Sequence, residues 1–421
     1  MNSLLALLLI TFAATGAVMR INFADELVFS LLVAWVILIW ASKSSCLNKV
    51  VIDQFILFCM IFVIAMLVAV INEIPFIVSS MGFWQLWRAH IAIMIGLLLL
   101  AYGKKIPSWP ITKVLQFNMV FSLLQPFLGE DVMTALYPAG LMEYRSGILR
   151  SVGVFGNPNT NATFLALYLL FLWGSLLKST KKRGKVILFV SFLALFSTGS
   201  RTAILVVPLL MVYMAWSIRR TTSKIDRKPG VSFTTYLVGL LFIVGIGVFL
   251  STQEKNSTSM GYSLIPDISV ISNTTNLGEG YFRTIATTMA LGHFVEHPVV
   301  GLGYGTYGTP ASFSWPSPYL VSDDLIIEED IRGLKLSQLD VLMPVILAES
   351  GLLGFFVWCW SLMKLVSRFR IYSAYDFTIF NSWVMALLIA TFSGPGITHP
   401  IVVVLIPFVM NWLTNIKPTL R

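Results

Sequence analysis

Residues 54–72 read QFILFCMIFVIAMLVAVIN, nineteen positions without a charged side chain. As a helix rising 1.5 Å per residue this run is about 28 Å long, close to the hydrocarbon thickness of a bilayer. Working outward, comparable apolar runs are expected as spans near 3–19, 25–42, 86–103, 113–128, 159–177, 186–200, 202–218, 235–251, 340–363, 377–392 and 400–416. Twelve such runs predict an all-α polytopic membrane protein. Composition agrees: of 421 residues 57% are hydrophobic and 12% charged, with a mean hydropathy of +0.81, too apolar for one soluble core. No fixed period recurs, so residues 1–421 read as a single membrane domain. Met1 to Val18 lacks a basic leader and a small-residue cleavage site, which predicts a retained helix. Cys46, Cys59 and Cys359 fit neither a disulfide framework nor metal spacing and are expected to pack.

Basic residues mark orientation, because short Lys/Arg-rich loops stay cytoplasmic during insertion. Alternate loops collect most of the 29 Lys and Arg, among them Lys104 and Lys105, Lys181 to Arg183, Arg219 and Arg220, and Lys364 to Arg370. Both termini are then cytoplasmic. The net charge of +9 reads as an orientation signal and a contact with anionic lipid, not as a nucleic-acid surface. The opposite face receives a long loop at 252–339 between the ninth and tenth spans. It is rich in Asp and Glu, and within it 281–296 reads as an amphipathic helix suited to the membrane surface. A loop of that length is expected to be functional. A shorter outer loop, 129–158, carries Glu130, Asp131, Glu143, Arg145 and Arg150.

Arg88, Arg150, Arg201 and Arg283 stand outside the cytoplasmic set. Arg201 ends the turn Ser197-Thr198-Gly199-Ser200-Arg201 between two apolar segments, where a cation is costly without a partner. Its planar fork suits a phosphate or a carboxylate, and snorkelling to headgroups or pairing with Asp131 or Glu143 would also satisfy it. Gly153-Val154-Phe155-Gly156-Asn157-Pro158-Asn159-Thr160-Asn161 leads from the outer loop into the sixth span. Asn159 or Thr160 can cap that helix, and its free amides can receive an anion. Asp340 opens the tenth span, as a base or as a cap. Glu349, nine residues on, lies roughly 13 Å deeper, where a carboxylate needs a partner or a proton, or serves to lock packing.

Other chemistries find no footing. Walker, HExxH and GxSxG patterns are absent, and His90, His293, His297 and His399 show no metal spacing. Gly301-Leu302-Gly303-Tyr304-Gly305-Thr306-Tyr307-Gly308 follows no strand of a βαβ unit and reads as an irregular turn. A transporter would need ionisable groups near the midplane, and apart from Glu349 the spans are almost uncharged.

The order Phe155-Gly156-Asn157-Pro158-Asn159, then Thr198-Gly199-Ser200-Arg201, then Arg283 ahead of His297-Pro298-Val299-Val300-Gly301-Leu302-Gly303, then Leu347-Ala348-Glu349-Ser350-Gly351 resembles the O-antigen polymerase and O-antigen ligase superfamily. The resemblance covers roughly 150–355. It implies a GT-C-like, metal- and cofactor-independent inverting glycosyltransferase of the inner membrane, active at its periplasmic face. Its donor and acceptor would be oligosaccharides on undecaprenyl diphosphate, with a chain-length regulator protein as a further partner. It implies Arg201, Arg283 and, less closely matched, Arg150 on the diphosphate, with Gly156, Asn157, Asn159 and Glu349 as structural or donor-site support. Ligases of the superfamily carry a histidine where this chain has Asp340. That departure favours a polymerase over a ligase acting on lipid A-core, and makes Asp340 the first expected base, with His399 the second.

Overall fold

The computed structural model describes residues 49–101, 109–136, 144–145, 148–178, 182–222, 290–307, 342–371, 374–390 and 400–415. The expected spans 3–19, 25–42 and 235–251 lie outside these residues, as do Arg283, Asp340, His399 and most of the 252–339 loop. In chain order the helices are α1 (Lys49–Ile71), α2 (Phe76–Ala101), α3 (Trp109–Leu128), α4 (Glu130–Leu136), α5 (Pro158–Lys178), α6 (Lys182–Ser197), α7 (Arg201–Thr222), α8 (Leu342–Arg368), α9 (Ala374–Ala390) and α10 (Pro400–Asn415). A two-residue antiparallel ladder, β1 (Tyr144–Arg145) with β2 (Ile148–Leu149), sits between α4 and α5. The chain is a polytopic, helical membrane protein. Among the described residues α1, α2, α5 and α8 are long and apolar enough to cross a bilayer.

Helix α2 is the axis of the bundle and packs against α1, α8 and α10. It begins ten residues before the expected span at 86–103, because Ser79 and Gln85 lower the local hydropathy while the structure buries both. Helix α1 is its opposite. Phe55, Ile56, Met60, Val63, Leu67 and Val70 point outward, which suits a face turned to lipid. A second layer of α5, α6, α7 and α9 packs beside α3.

Indoles stitch the layers together, those of Trp358 and Trp412 buried and that of Trp173 half-buried. Trp358 Nε1 of α8 donates to Leu86 O at 2.9 Å, Trp173 Nε1 of α5 to Met211 O at 2.8 Å, and Trp412 Nε1 of α10 to Thr112 Oγ1 at 3.1 Å. Such interhelical hydrogen bonds contribute about 0.6 kcal/mol each in a membrane. His90 joins this frame, its Nε2 meeting Trp358 O at 2.9 Å and its ring lying against Trp87. It is a packing residue. Cys59 is exposed on α1 and Cys359 half-buried on α8, and both are free thiols.

One expectation needs correction. The outer loop 129–158 is not mere loop, since it folds α4, the small ladder and a 3₁₀ turn at Gly153–Phe155. Of the amphipathic stretch at 281–296, the described part is helical over 290–296.

Candidate functional site

The first cluster forms where the outer segment re-enters the bundle. Asn157 is the N-cap of α5, its Oδ1 accepting from Asn159 N at 2.8 Å and Thr160 N at 3.2 Å. Pro158 follows at the first helical position, where its missing N–H costs nothing. The expected cap at Asn159 or Thr160 is therefore corrected: the helix begins at Pro158, and Asn157, two positions before Asn159, takes the role. Gly156, at φ 68°, supplies the left-handed residue that turns the chain into this cap.

Asn159 is thereby freed for a different task. Its Oδ1 accepts from Arg150 Nη2 at 3.1 Å, while Arg150 Nε donates to Thr198 O at 2.7 Å. Ser151 N reinforces the junction by donating to Ser197 O at 2.8 Å. One buried guanidinium thus joins the first turn of α5 to the turn that precedes α7. That turn closes α6 through Gly199 N on Phe196 O, and Arg201 is the first residue of α7. The N-terminal ends of two helices, both carrying partial positive charge, are clasped together with Arg201 at one of them.

A polar brace underlies this clasp. Gln125 Oε1 accepts from Ser151 Oγ at 2.8 Å and Gly153 N at 2.7 Å, and Gln125 Nε2 donates to Gly153 O at 3.1 Å. Asn118 Nδ2 donates to Asn161 Oδ1 at 2.8 Å, and Asn118 Oδ1 accepts from Val154 N at 2.9 Å. Asn161 Nδ2 reaches Ser122 Oγ and Ser151 O. Gly153 sits at φ 58°, and a Cβ there would strike the side-chain oxygens of Asn118 and Asn161. The α3 residues of this brace escaped the sequence reading. The available signal was their spacing: 118, 122 and 125 fall on one face of a helix whose second half, 117–128, is otherwise apolar.

The second cluster joins the glycine-rich turn to α8, and the reading of 301–305 as an irregular turn holds. Glu349, fully buried, accepts from Gly305 N on Oε2 and from Tyr307 N on Oε1, both at 3.0 Å. These are partners its depth demands. Helix α8 breaks at Gly351 (φ 61°, ψ −170°). Leu352 N and Leu353 N donate to Pro298 O and Val299 O instead of to their own helix, and the vacated Ala348 O and Glu349 O accept from Leu302 N and Gly303 N. Gly301 and Gly351 face each other so closely that a Cβ on Gly301 would lie 2.6 Å from Gly351 N. Asn72 at the end of α1 and Trp87 of α2 hold the same turn, through Leu302 O at 2.8 Å and the Tyr304 hydroxyl at 3.3 Å.

Four short motifs thus become two assemblies: Gly156 to Asn159 with Thr198 to Arg201, and Gly301 to Gly305 with Ala348 to Gly351. Of the expected site residues, Arg150, Gly156, Asn157, Asn159 and Glu349 lie in these assemblies, and Arg201 is placed by its backbone at the start of α7. Among the described residues no group of three or more His, Cys, Asp or Glu stands close enough together to hold a metal ion.

Residues 186–359 match the family described as O-antigen ligase. The matched stretch runs from α6 to the part of α8 just past its break, and takes in Arg201, Arg283, Asp340 and Glu349. No curated protein matches the chain. The match supports the superfamily resemblance, and with it a membrane-embedded enzyme of the glycosyltransferase kind in lipopolysaccharide biosynthesis.

Proposed function

We propose that this protein polymerises oligosaccharide repeat units carried on undecaprenyl diphosphate, at the periplasmic face of the inner membrane. In this reading it has about twelve spans in a GT-C-like arrangement, with both termini cytoplasmic. A hydroxyl of the acceptor glycan attacks the anomeric carbon of the donor. The bond from that carbon to the diphosphate oxygen breaks, the configuration inverts, and undecaprenyl diphosphate leaves with its negative charge. Asp340 takes the hydroxyl proton, with His399 as the second candidate.

The observation that carries the proposal is the clasp. Arg150 ties two helix N-termini together beside Arg201, which opens one of them. Helix N-termini and guanidinium groups are what a departing diphosphate requires, since they stabilise charge that develops as the bond breaks. Arg150 is engaged by Thr198 O and Asn159 Oδ1 and organises this corner, leaving Arg201 and Arg283 as the proposed direct ligands.

A ligase reading is favoured by the description of the matched family. It differs in the acceptor, lipid A-core in place of a second lipid-linked glycan, and Asp340 in the ligase histidine's position argues against it. Deleting the gene and resolving the lipopolysaccharide on a gel separates the two. A polymerase mutant leaves core plus one repeat; core without any repeat would mean a ligase.

A further inference from the structure

In an unbroken α8, Leu352 N would close on Ala348 O and Leu353 N on Glu349 O. All four groups are instead exchanged with residues 298–303, so this segment is spliced into the helix. The splice sets the position of the chain up to Gly303. Beyond it, Trp87 Nε1 reaches the Tyr304 hydroxyl and Thr306 Oγ1 donates to Gly303 O, while the Glu349 carboxylate places one oxygen on each of two inward-facing backbone N–H groups of Gly305 and Tyr307. Gly305 at φ 82° is the residue that turns these amides toward it. Ala290, Leu302 and Tyr307 share a small buried cluster with Val345 and Ala348 of α8, and the His293 and Tyr307 rings meet at 5.3 Å. Residue 290, seven positions after Arg283, is therefore packed on the opening turns of α8, which starts two positions after Asp340.

We infer that Glu349 is a positioning residue: its carboxylate locks the 301–307 turn onto α8 and so fixes residue 290 against the opening turns of α8, the described residues nearest in sequence to Arg283 and Asp340. The inference rests on the proposed reading in which those two residues act on donor and acceptor. Removing the carboxylate strands two buried amides, and a buried N–H without a partner forces the turn to rearrange. A shift of about 1 Å in a reacting group is enough to cost up to a hundredfold in rate.

The test uses full-length Glu349→Gln protein in lipid vesicles. Gln keeps the size but offers one acceptor for two donors. With lipid-linked repeat units, kcat per folded enzyme should fall by about tenfold or more while KM for the donor stays within about twofold. In parallel, spin labels at Val295 and Phe356, both exposed, report the distance across the splice in a background without Cys46, Cys59 and Cys359. A narrow distribution in the parent should broaden in the Gln variant. Where Gln prevents folding, Glu349→Asp, charged but one methylene short, should show the same two changes to a smaller degree. A lower melting temperature with kcat and the distance distribution unchanged would overturn the inference. Should the parent protein fail to turn over lipid-linked glycans, the functional reading falls, and the distance distribution by itself decides the role of Glu349.

Discussion

The clasp at 150–201 and the splice at 298–353 solve the same problem by different means. Each must fix irregular backbone inside a membrane bundle, where every polar main-chain group needs a partner. The clasp borrows side chains: Gln125 and Asn118 act as substitute backbone, pairing with Gly153 and Val154 as a neighbouring strand would. The splice uses main chain against main chain, and glycines let the two strands of backbone approach. The clasp should therefore be sensitive to lost amides, and the splice to gained methyl groups.

The largest effects are expected where each region presents its arginine. Arg201→Ala, at the clasp, and Arg283→Ala, upstream of the splice, should each nearly abolish polymer at normal protein abundance, a loss of about 10²-fold or more. Lys should rescue poorly at both, because a point charge does not reproduce the fork. Wild-type chain lengths in both alanine variants would remove the diphosphate assignment.

Next comes Asp340→Asn. If Asp340 takes the acceptor proton, activity should fall by about 10²-fold or more with donor binding intact. Asn caps a helix about as well as Asp, so turnover within a few-fold of the parent would mean a cap.

The clasp and the splice should also differ in the kind of lesion each tolerates. Gly351→Ala places a side chain at φ 61° and against Val299, and should destabilise the protein by more than the roughly 1–2 kcal/mol that such a conformation costs on its own. Gln125→Ala and Asn161→Ala should each cost about 1–3 kcal/mol by stranding buried partners, with Gln125→Ala also loosening Ser151 and Gly153. Melting curves of the purified variants rank them. A milder loss at Gly351 than at Gln125 and Asn161 would mean that close backbone approach does not hold the splice.

How much of this was legible in the sequence differs by region for the same reason. Long apolar runs announced α1, α5 and α8, because in a membrane hydropathy and span are nearly the same information. The first ten residues of α2 were missed since Ser79 and Gln85 look like a loop until a bundle surrounds them. Gly156, Asn157 and the Thr198 turn stood out as motifs. That Arg150 bridges them did not, because the bond joins residues 48 positions apart. The splice was least visible. Glycines at 301, 303 and 351 hint at close approach, but which carbonyl each amide seeks is a property of the assembled bundle.

The break in α8 also bears on the order of assembly. In its broken form α8 carries into the hydrocarbon two amides and two carbonyls that its own ladder leaves open. The strand that completes them is about fifty residues nearer the N-terminus, so it has left the ribosome before α8 is made. Helix α8 thus enters beside a waiting template, and takes its broken form only by docking on chain already in place.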